Sequence, residues 1–539
     1  MKWLPLALVA FASAPPAFAD GLVDNVNGVT LDENGRVVRF SALTVTADGH
    51  IGKLIEAGNK KPDKLDWRYD GKGQVLMPGL IDAHTHVMET GLAALSLDLS
   101  GTTSLAQAQD RIRAFAAAHP ERKWILGGGW NQERWALGRF PTAAELDLAD
   151  GRPIWLSRAD GHAGWANAAA LKAAGITAAT KAPPGGRIEG GVFVDSAKGL
   201  VERVVPSLTS KDRDLGLAKA QDVFLAYGVT AVADMGTSGE DWLAFRRAGD
   251  EGRLRVRIVS YSLGLEPMEA ITSGQPTPWL YGDRLRMSGV KLYADGALGS
   301  RGACLKQPYA DKPTESGACF MDDAKLRNLM VRASMDGMQV AVHAIGDRAN
   351  AQVLSAIEEV SGTFNGDRRW RIEHAQIVDP ADLPRFGKHG IVASMQPVHQ
   401  TSDRTMAEAR LGPARLAGAY AWASMLRNGA SLVFGSDTPV ERPDPWAGMA
   451  AAVTREDDKG EPFGGWQAQE RVTREQALAG YTIGAARAMF AEAKLGRLAP
   501  GMDADFVLVD VDPLQSTPSQ LRATRVSETW IGGVRAWKR

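Results

Sequence analysis

Short apolar runs of strand length recur along the middle of the chain and alternate with stretches of helix length. The runs begin near Val75, Gly228, Arg255, Arg286, Met338, Trp370, Ile391 and Ser431. Helix-like patterns separate several of them, at residues 212–227, 322–335 and 349–360. This alternation favours βα units that build a parallel sheet. Eight such units predict an α/β fold of the (β/α)8 TIM-barrel type.

Both ends of the chain have a different pattern. Between residues 21 and 67, short apolar runs are separated by Asn-Gly and Asp-Gly pairs, which are typical of hairpin turns. Residues 501–510 and 526–537 also have strand-like composition. We therefore expect β structure at both ends, outside the barrel.

The interval between the first and second apolar runs, about residues 92–210, is too long for a structureless loop. We expect a large folded insertion after barrel strand 1 that leans over the barrel mouth and contributes to substrate specificity. It contains Trp130, Trp135 and Trp165. These side chains either line a pocket or form the core of the insertion, and for each one taken separately we favour the core.

Composition and charge narrow the classes of partner. The 539 residues are 45% hydrophobic and 23% charged, which is typical of a globular protein and not of a disordered chain. The 62 basic and 63 acidic residues leave a formal charge of -1, which argues against electrostatic capture of nucleic acid or an anionic membrane. We therefore expect a small-molecule partner.

Residues 1–19 have the pattern of a secretory signal peptide. Lys2 precedes an apolar stretch too short to span a bilayer, and Ala17-Phe18-Ala19 has the small-X-small pattern of a cleavage site. We expect cleavage after Ala19, a periplasmic or secreted mature protein, and no membrane span once the signal is removed. An uncleaved anchor or a disordered start is the alternative.

The chain has two cysteines, Cys304 and Cys319. In an oxidising compartment they could form a disulfide, with turn-prone Pro and Gly residues between them. Two unpaired thiols are the alternative.

His84 and His86 lie two residues apart at the end of the first apolar run. On a β-strand, residues i and i+2 point to the same face, so the two imidazoles would project together. Taken alone, the pair could be two ordinary histidines near a turn. Four later stretches also end an apolar run in a residue that can take part in a metal site, namely Lys291, His343, His374 and Asp437. These candidates lie at the carboxyl ends of predicted strands 1, 4, 5, 6 and 8, which is the catalytic face of a TIM barrel.

Five further motifs occur in a fixed order around these residues: Trp130-Asn131-Gln132, Asp160-Gly161-His162, the stretch from Asp295 to Arg301, the stretch from His343 to Asp347, and residues 435–440. With the order His-X-His, Lys, His, His, Asp, the sequence resembles the metal-dependent amidohydrolase superfamily over nearly its whole length. Within that superfamily it resembles the amidohydrolase 3, or YtcJ-like, branch, which includes N-substituted formamide deformylases and AepA-like proteins.

The resemblance implies a domain organisation. In this superfamily, the two chain ends meet in one small β-sandwich domain beside the barrel. We therefore expect a signal peptide at 1–19, sandwich strands at 20–74, the metal-dependent hydrolase barrel at 75–490 with its insertion at about 92–210, and further sandwich strands at 491–539. The family also implies a homodimer.

Neutral imidazoles and carboxylates suit Zn²⁺. The first zinc ion is expected at His84, His86 and Asp437, and the second at His343 and His374. The resemblance implies that Lys291 is carboxylated to N6-carboxylysine and bridges the two ions. A neutral or paired structural lysine beside a single ion is the alternative, so the sequence allows one or two zinc ions per chain.

The resemblance also implies catalytic roles. Asp437 is expected to take a proton from the attacking water and to pass it to the departing nitrogen. His162 is expected to stabilise the substrate carbonyl or the oxyanion. The groups expected to contact the substrate or to orient the site are Asn131, Asp295 and Arg301.

Three more residues lie near the predicted ligands. Glu373 precedes His374 on a strand, so it is expected to face the opposite side and to form a structural pair. His399 and Gln396 follow the seventh strand and could reach the pocket, but neither is expected to bind the metal.

The expected activity is hydrolysis of a C–N bond outside peptides, in an N-acyl, N-formyl or cyclic amide, by metal-activated water. A deaminase, or an ester or carbamate hydrolase, would use the same centre. A non-catalytic exported binding or regulatory protein is the alternative from another class. It would be expected to have a broken ligand set, whereas here every ligand position is filled.

Overall fold

The computed structural model describes residues 20–132, 134–148, 150–159, 163–183 and 186–539. The predicted signal peptide at 1–19 lies outside the described residues, and so does His162. Among the described helices, none combines the length and the apolar character that crossing a bilayer requires.

The described chain begins with short strands that lie outside the barrel. They are β1 (Gly21–Asp24), β2 (Asn27–Leu31), β3 (Val37–Phe40), β4 (Ala42–Val45), β5 (Ile51–Ile55), β6 (Trp67–Asp70) and β7 (Val75–Pro78). β5, β4, β1 and β6 form a four-stranded sheet in that order. β7 instead pairs in parallel with β2, which pairs with β3.

The first barrel strand begins later than the sequence predicted. We expected it to start near Val75, but only β8 (Leu80–Thr85) belongs to the barrel sheet, and helix α1 (Val87–Leu95) follows it. Gly79 separates β7 from β8, and a Cβ at this position would lie 2.2 Å from Thr230 Oγ1. The apolar run therefore crosses from one sheet to another at a point where only glycine fits, and the predicted start was wrong.

A separate six-stranded sheet lies between the first and second barrel strands. Its strands are β9 (Leu97–Asp98), β10 (Ile125–Trp130), β11 (Ile154–Arg158), β12 (Ala163–Ala166), β13 (Gly186–Glu189) and β14 (Val192–Asp195). The helices in this interval are α2 (Leu105–Ala118), α3 (Ala168–Ala173) and α4 (Gly199–Glu202). Trp130, Trp135 and Trp165 are buried together in the apolar core of this unit, which is the interpretation that the sequence favoured.

The remaining barrel strands follow at intervals along the chain. They are β15 (Val229–Thr237), β16 (Arg257–Leu263), β17 (Leu285–Tyr293), β18 (Gln339–Ala344), β19 (Arg371–His374), β20 (Val392–Met395) and β21 (Ser431–Phe434). The helices between and after them are α5 (Ser210–Ala226), α6 (Gly239–Asp250), α7 (Leu265–Ile271), α8 (Asp323–Met335), α9 (Asp347–Ser361), α10 (Leu383–Lys388), α11 (Pro397–Leu411), α12 (Trp422–Arg427), α13 (Pro445–Thr454), α14 (Arg474–Gly480) and α15 (Ile483–Ala488).

The eight barrel strands form one parallel sheet in chain order from β8 to β21. Just beyond β21, the Asp437 N–H donates to His84 O (2.8 Å) and the His86 N–H donates to Thr438 O (2.9 Å). These bonds connect the last strand to the first, so the sheet is a nearly closed barrel. The predicted α/β barrel is confirmed.

The C-terminal segment returns to the sheet that contains β7. It forms β22 (Phe506–Val509), helix α16 (Pro518–Arg522), β23 (Val526–Ile531) and β24 (Val534–Lys538). The resulting six-stranded sheet has the order β24-β23-β22-β7-β2-β3 and therefore contains strands from both ends of the chain.

Candidate metal centre

The predicted ligands converge because the strands are parallel and their carboxyl ends meet at one edge of the barrel. His84 lies near the end of β8, and His86 follows that strand directly. Lys291, His343 and His374 lie at or near the ends of β17, β18 and β19, and Asp437 follows β21.

His84, His86 and Asp437 form the tightest group. Asp437 Oδ1 lies 3.1 Å from His86 Nε2 and 3.3 Å from His84 Nε2. The backbone of Asp437 is left-handed, with φ of 59°, a conformation that aspartate tolerates better than most residues. This turn brings the carboxylate back over the end of β8.

Asp82 stabilises the turn from the first strand. Its buried carboxylate accepts hydrogen bonds from Ser436 Oγ (2.6 Å), from the Ser436 N–H (2.9 Å) and from the His84 N–H (3.2 Å). Burial raises the pKa of Asp82 to about 7. The side chain therefore connects the first strand to the segment that carries Asp437.

His343 and His374 lie beside this group. Their ring centroids are 4.6 Å apart, and the His374 ring lies 4.7 Å from that of His84. His343 Nε2 is buried and makes no hydrogen bond to any described residue. Burial, assisted by the neighbouring Lys291, lowers the pKa of His343 to about 3. A neutral imidazole with an unpaired nitrogen is the form that binds a metal ion.

Lys291 is buried among these groups. Its Nζ lies 3.3 Å from His84 Nε2 and 5.0 Å from the centre of the Tyr293 ring. Burial lowers the pKa of Lys291 to about 8, because the charged form is poorly solvated there. A large share of this amine is therefore neutral near pH 8.

The strand pattern predicted that Glu373 faces away from the site, but its side chain faces the site. Its carboxylate is fully buried and lies 2.6 Å from His84 Nδ1. Arg371 and Glu373 follow the strand alternation and both point to the barrel interior, where they pair. His374 departs from that alternation, because its φ is 73°. The predicted orientation was wrong because it assumed a regular strand through His374, whereas the predicted structural pair is present, with Arg371.

The charge of Glu373 fixes the tautomer of His84. Burial alone would raise the pKa of Glu373, but the Arg371 guanidinium and the His84 hydrogen bond hold it well below its usual range. An ionised carboxylate only accepts hydrogen bonds, so His84 carries its proton on Nδ1 and donates it to Glu373. The lone pair on Nε2 is then free for a metal ion, as in other carboxylate–histidine–metal arrangements.

His399 also reaches the group, although the sequence gave it no ligand role. Its Nε2 lies 3.7 Å from Asp437 Oδ2, and its ring stacks on that of His374 with centroids 6.1 Å apart. Among the described residues, two sets therefore have ligand atoms within 4.8 Å of one another: His84, His86 and Asp437, and His374, His399 and Asp437. The sequence signal was the position of His399 directly after a barrel strand.

Asp295 lies behind His343. Its carboxylate accepts three backbone N–H bonds, from Cys304, Ile345 and Gly346, at 2.8 to 2.9 Å, and one oxygen lies 3.5 Å from His343 Nε2. Burial raises the pKa of Asp295 to about 7. This side chain fixes the segments after β17 and β18.

Cys304 and Cys319 in the loop after β17 are joined by a disulfide.

The other predicted site residues are placed differently. Arg301 forms an ion pair with Asp311 (2.9 Å), and the structure shows no contact between its side chain and the histidines of the described chain. Asn131 is partly buried and directly follows β10 of the insertion. His162 lies outside the described residues.

The donor set fits a transition metal. It consists of buried imidazoles, one shared carboxylate and one buried amine, and the imidazole nitrogen of His343 lacks any hydrogen bond to the described chain. Nitrogen and carboxylate ligands of this kind are those that zinc prefers.

Known proteins resemble this chain in sequence over most of its length. The family model described as "Amidohydrolase family" matches residues 69–536. The chain is 34% identical to the putative amidohydrolase YtcJ of Bacillus subtilis (strain 168), over 86% of this chain and 88% of that protein. It is 29% identical to N-substituted formamide deformylase of Arthrobacter pascens, over 96% of this chain and 98% of that protein.

A solved structure agrees with the fold. The crystal structure of an uncharacterized metal-dependent hydrolase from Pyrococcus horikoshii OT3 superposes with a TM-score of 0.78 and 28% sequence identity, covering 93% of this chain and 99% of the other. The motif-based resemblance is thus confirmed. The chain belongs to the amidohydrolase family, in its amidohydrolase 3 branch, and is a metal-dependent hydrolase of the amidohydrolase superfamily.

Proposed function

We propose that this protein is an exported, zinc-dependent hydrolase that cleaves C–N bonds outside peptides in small molecules, namely N-acyl, N-formyl or cyclic amides. The observation that carries the proposal is the convergence of Asp437 with His84 and His86 at the carboxyl edge of the barrel. The likeness to a protein named N-substituted formamide deformylase, over nearly the full length of both chains, supports this class of bond.

Two groups of residues would hold the metal. His84, His86 and Asp437 form the first group, and His343 with His374 the second. A bound zinc ion supplies a Lewis acid for the substrate carbonyl and lowers the pKa of water toward about 7.

We propose that Lys291 is carboxylated and links the two groups. Its neutral amine can attack carbon dioxide, forming an N–C bond and releasing one proton. Burial and a pKa of about 8 support this step, because only the neutral amine is a nucleophile. Its 3.3 Å approach to His84 Nε2 places it at the same group of ligands.

Asp437 is suited to move the proton. The carboxylate of Asp437 lies within 3.3 Å of the ring nitrogens of His84 and His86 and is ionised, so it can accept a proton from water. The same carboxylate then returns that proton to the departing nitrogen. In this proposal His162 stabilises the oxyanion, a role that the family resemblance suggests.

We also propose that the two terminal sheets form one β-sandwich and that the insertion at about 92–210 shapes the substrate pocket. An apolar cluster supports the sandwich, because it joins side chains from both chain ends, including Leu43, Phe506 and Trp530. Export is tested by N-terminal sequencing of the mature protein, which should begin at Asp20.

The proposal is tested on the purified mature protein. Elemental analysis should find up to two zinc ions per chain, and N-substituted formamides and N-acyl amines should be hydrolysed. Asp437→Asn should lower kcat by about 10²–10⁴-fold. The matched control is Asp458→Asn, which removes an exposed carboxylate and should leave kcat unchanged. A protein that takes up no metal after reconstitution and hydrolyses none of these substrates would refute the proposal.

Carboxylation has its own readout. After incubation with ¹³C-labelled bicarbonate, the wild type should show a ¹³C carbamate resonance, and Lys291→Ala should lack it and hold less zinc. A single zinc ion that is retained in Lys291→Ala would instead indicate a mononuclear site.

A further inference from the structure

His399 carries a buried nitrogen that the proposed mechanism does not use. Its Nε2 makes no hydrogen bond to any described residue and lies 3.7 Å from Asp437 Oδ2, beyond hydrogen-bond distance. The other oxygen of Asp437 faces His84 and His86. The proton-carrying carboxylate therefore lies between the metal-facing histidines and His399.

The opposite side of the His399 ring is held by Gln376. Gln376 Nε2 lies 3.3 Å from His399 Nδ1, and Gln376 Oε1 lies 3.3 Å from the Tyr420 hydroxyl. The Tyr420 hydroxyl also lies 2.9 Å from Asp403 Oδ2 and can donate to either oxygen. Gln376 and Tyr420 are both buried, so this row of side chains is held by packing as well as by polar contacts.

This contact favours one tautomer of His399. With the amide NH₂ of Gln376 facing Nδ1, that ring nitrogen accepts, and this arrangement favours the tautomer with its proton on Nε2. A metal ligand needs a lone pair at the coordinating nitrogen. His399 is thus arranged as a hydrogen-bond donor toward Asp437, in contrast to His84, whose Nε2 is left with a lone pair.

We infer that His399 is a catalytic residue that donates its Nε2 proton in a hydrogen bond to the substrate carbonyl oxygen, and to the oxyanion as it forms, with Gln376 as the positioning residue that sets its tautomer. The inference rests on the proposed function. A donor fixed in place before the reaction stabilises negative charge that develops in the transition state, without reorganisation. No bond to His399 forms or breaks in this role.

The first experiment separates the donor role from a ligand role. His399→Gln, measured on an N-substituted formamide, should lower kcat by about 10²–10³-fold with little change in KM. Zinc content should equal that of the wild type. The matched control is His389→Gln, the same substitution on the histidine that follows α10. It should change neither kcat nor zinc content.

The second experiment tests the tautomer directly. Selective ¹⁵N labelling of the nine histidines of the zinc-loaded protein, with His399→Gln for assignment, should show the His399 proton on Nε2. Gln376→Glu replaces the donor by an acceptor of the same shape, so the proton should move to Nδ1. The loss of kcat in this variant should be of the same order as in His399→Gln.

The outcomes distinguish the two proposals. Wild-type protein that hydrolyses none of the amides refutes the proposed function, whereas the ¹⁵N spectrum still decides the arrangement of His399. Active wild type with an unimpaired His399→Gln variant overturns the inference alone. A proton on Nδ1, or zinc lost from His399→Gln, also overturns it and makes His399 a metal ligand with His374 and Asp437.

Discussion

Two buried arginine–carboxylate pairs lie at opposite ends of the barrel strands. In β19, Arg371 donates from Nε to Glu373 Oε1 (2.7 Å) and from Nη2 to Oε2 (3.2 Å). At the start of β16, Arg257 donates from Nε and Nη2 to the two oxygens of Asp505, at 2.7 and 2.9 Å. The two pairs have the same chemistry and nearly the same burial.

The third partner of each carboxylate is different. Glu373 accepts from His84, a candidate metal ligand, whereas Asp505 accepts from the Gly532 N–H in the loop between β23 and β24. Asp503 also lies 3.1 Å from Arg257. The first pair therefore sets the chemistry of the site, and the second joins the barrel to the sheet made by the chain ends. Burial of an ion pair does not by itself show what the pair is for.

The largest effect is expected for Arg371→Met. The substitution leaves the charge of Glu373 buried without its cation, which typically costs about 3–5 kcal/mol of unfolding free energy. The same change weakens the hold of Glu373 on His84, so zinc affinity should fall as well. Denaturant unfolding of the metal-free protein and zinc titration measure the two effects separately. Unchanged zinc affinity would show that the Arg371–Glu373 pair, like the Arg257–Asp505 pair, has no effect on metal binding.

Arg257→Met should cost a similar amount, about 3–5 kcal/mol, because it leaves Asp505 buried and unpaired. Zinc affinity of the folded variant should equal that of the wild type, since none of the described contacts of Arg257 involves a candidate ligand. The same unfolding and titration experiments apply. Loss of zinc binding at temperatures where the variant is fully folded would contradict the division of roles.

Glu373→Gln removes the negative charge of the side chain but keeps its shape. The amide oxygen can still accept from His84 Nδ1, but the imidazole loses an anionic partner, and changes of this kind typically lower metal affinity by about 10–100-fold. Competition with a chromogenic chelator measures the dissociation constant. Asp505→Asn is the matched control and should leave that constant unchanged.

The smallest effect is a pH dependence at the second pair. Burial alone would raise the pKa of Asp505, but Arg257 holds it below the usual value. Its contribution to stability is therefore complete above the unfolded-state pKa of about 3.9 and is lost as the pH falls through the folded-state pKa. The difference in unfolding free energy between wild type and Asp505→Asn should be constant near neutral pH and should shrink below about pH 4. A difference that grows in acid would contradict this prediction, because it would mean that folding raises the pKa of Asp505 instead of lowering it.

The barrel and most of the candidate ligands could be predicted because they follow from local pattern. Apolar runs of strand length give the strands, and His343 and Asp437 are visible because each directly ends or follows such a run. The change of sheet at Gly79 could not be predicted, since it depends on the approach of Thr230 from another strand. Local pattern alone does not contain such contacts.

The orientations of Glu373 and His399 also lay beyond the sequence. Glu373 was misplaced because the left-handed backbone of His374 is not a property of the dipeptide. His399 lies on the first turn of α11, and its approach to Asp437 depends on the path of two separate segments after β20 and β21. Hydrogen-bond direction, which separates a donor from a ligand, requires the neighbouring side chains.

The bonds that close the barrel also determine when, during biosynthesis, His84, His86 and Asp437 can together hold a metal ion. His86 and Asp437 are 351 positions apart in the sequence, and their side chains meet only at the junction between the first and last strands. A nascent chain that still lacks the residues after β21 has only the two histidines of this group. An ion held by all three would therefore be captured late in biosynthesis, after most of the polypeptide has emerged and the barrel has closed.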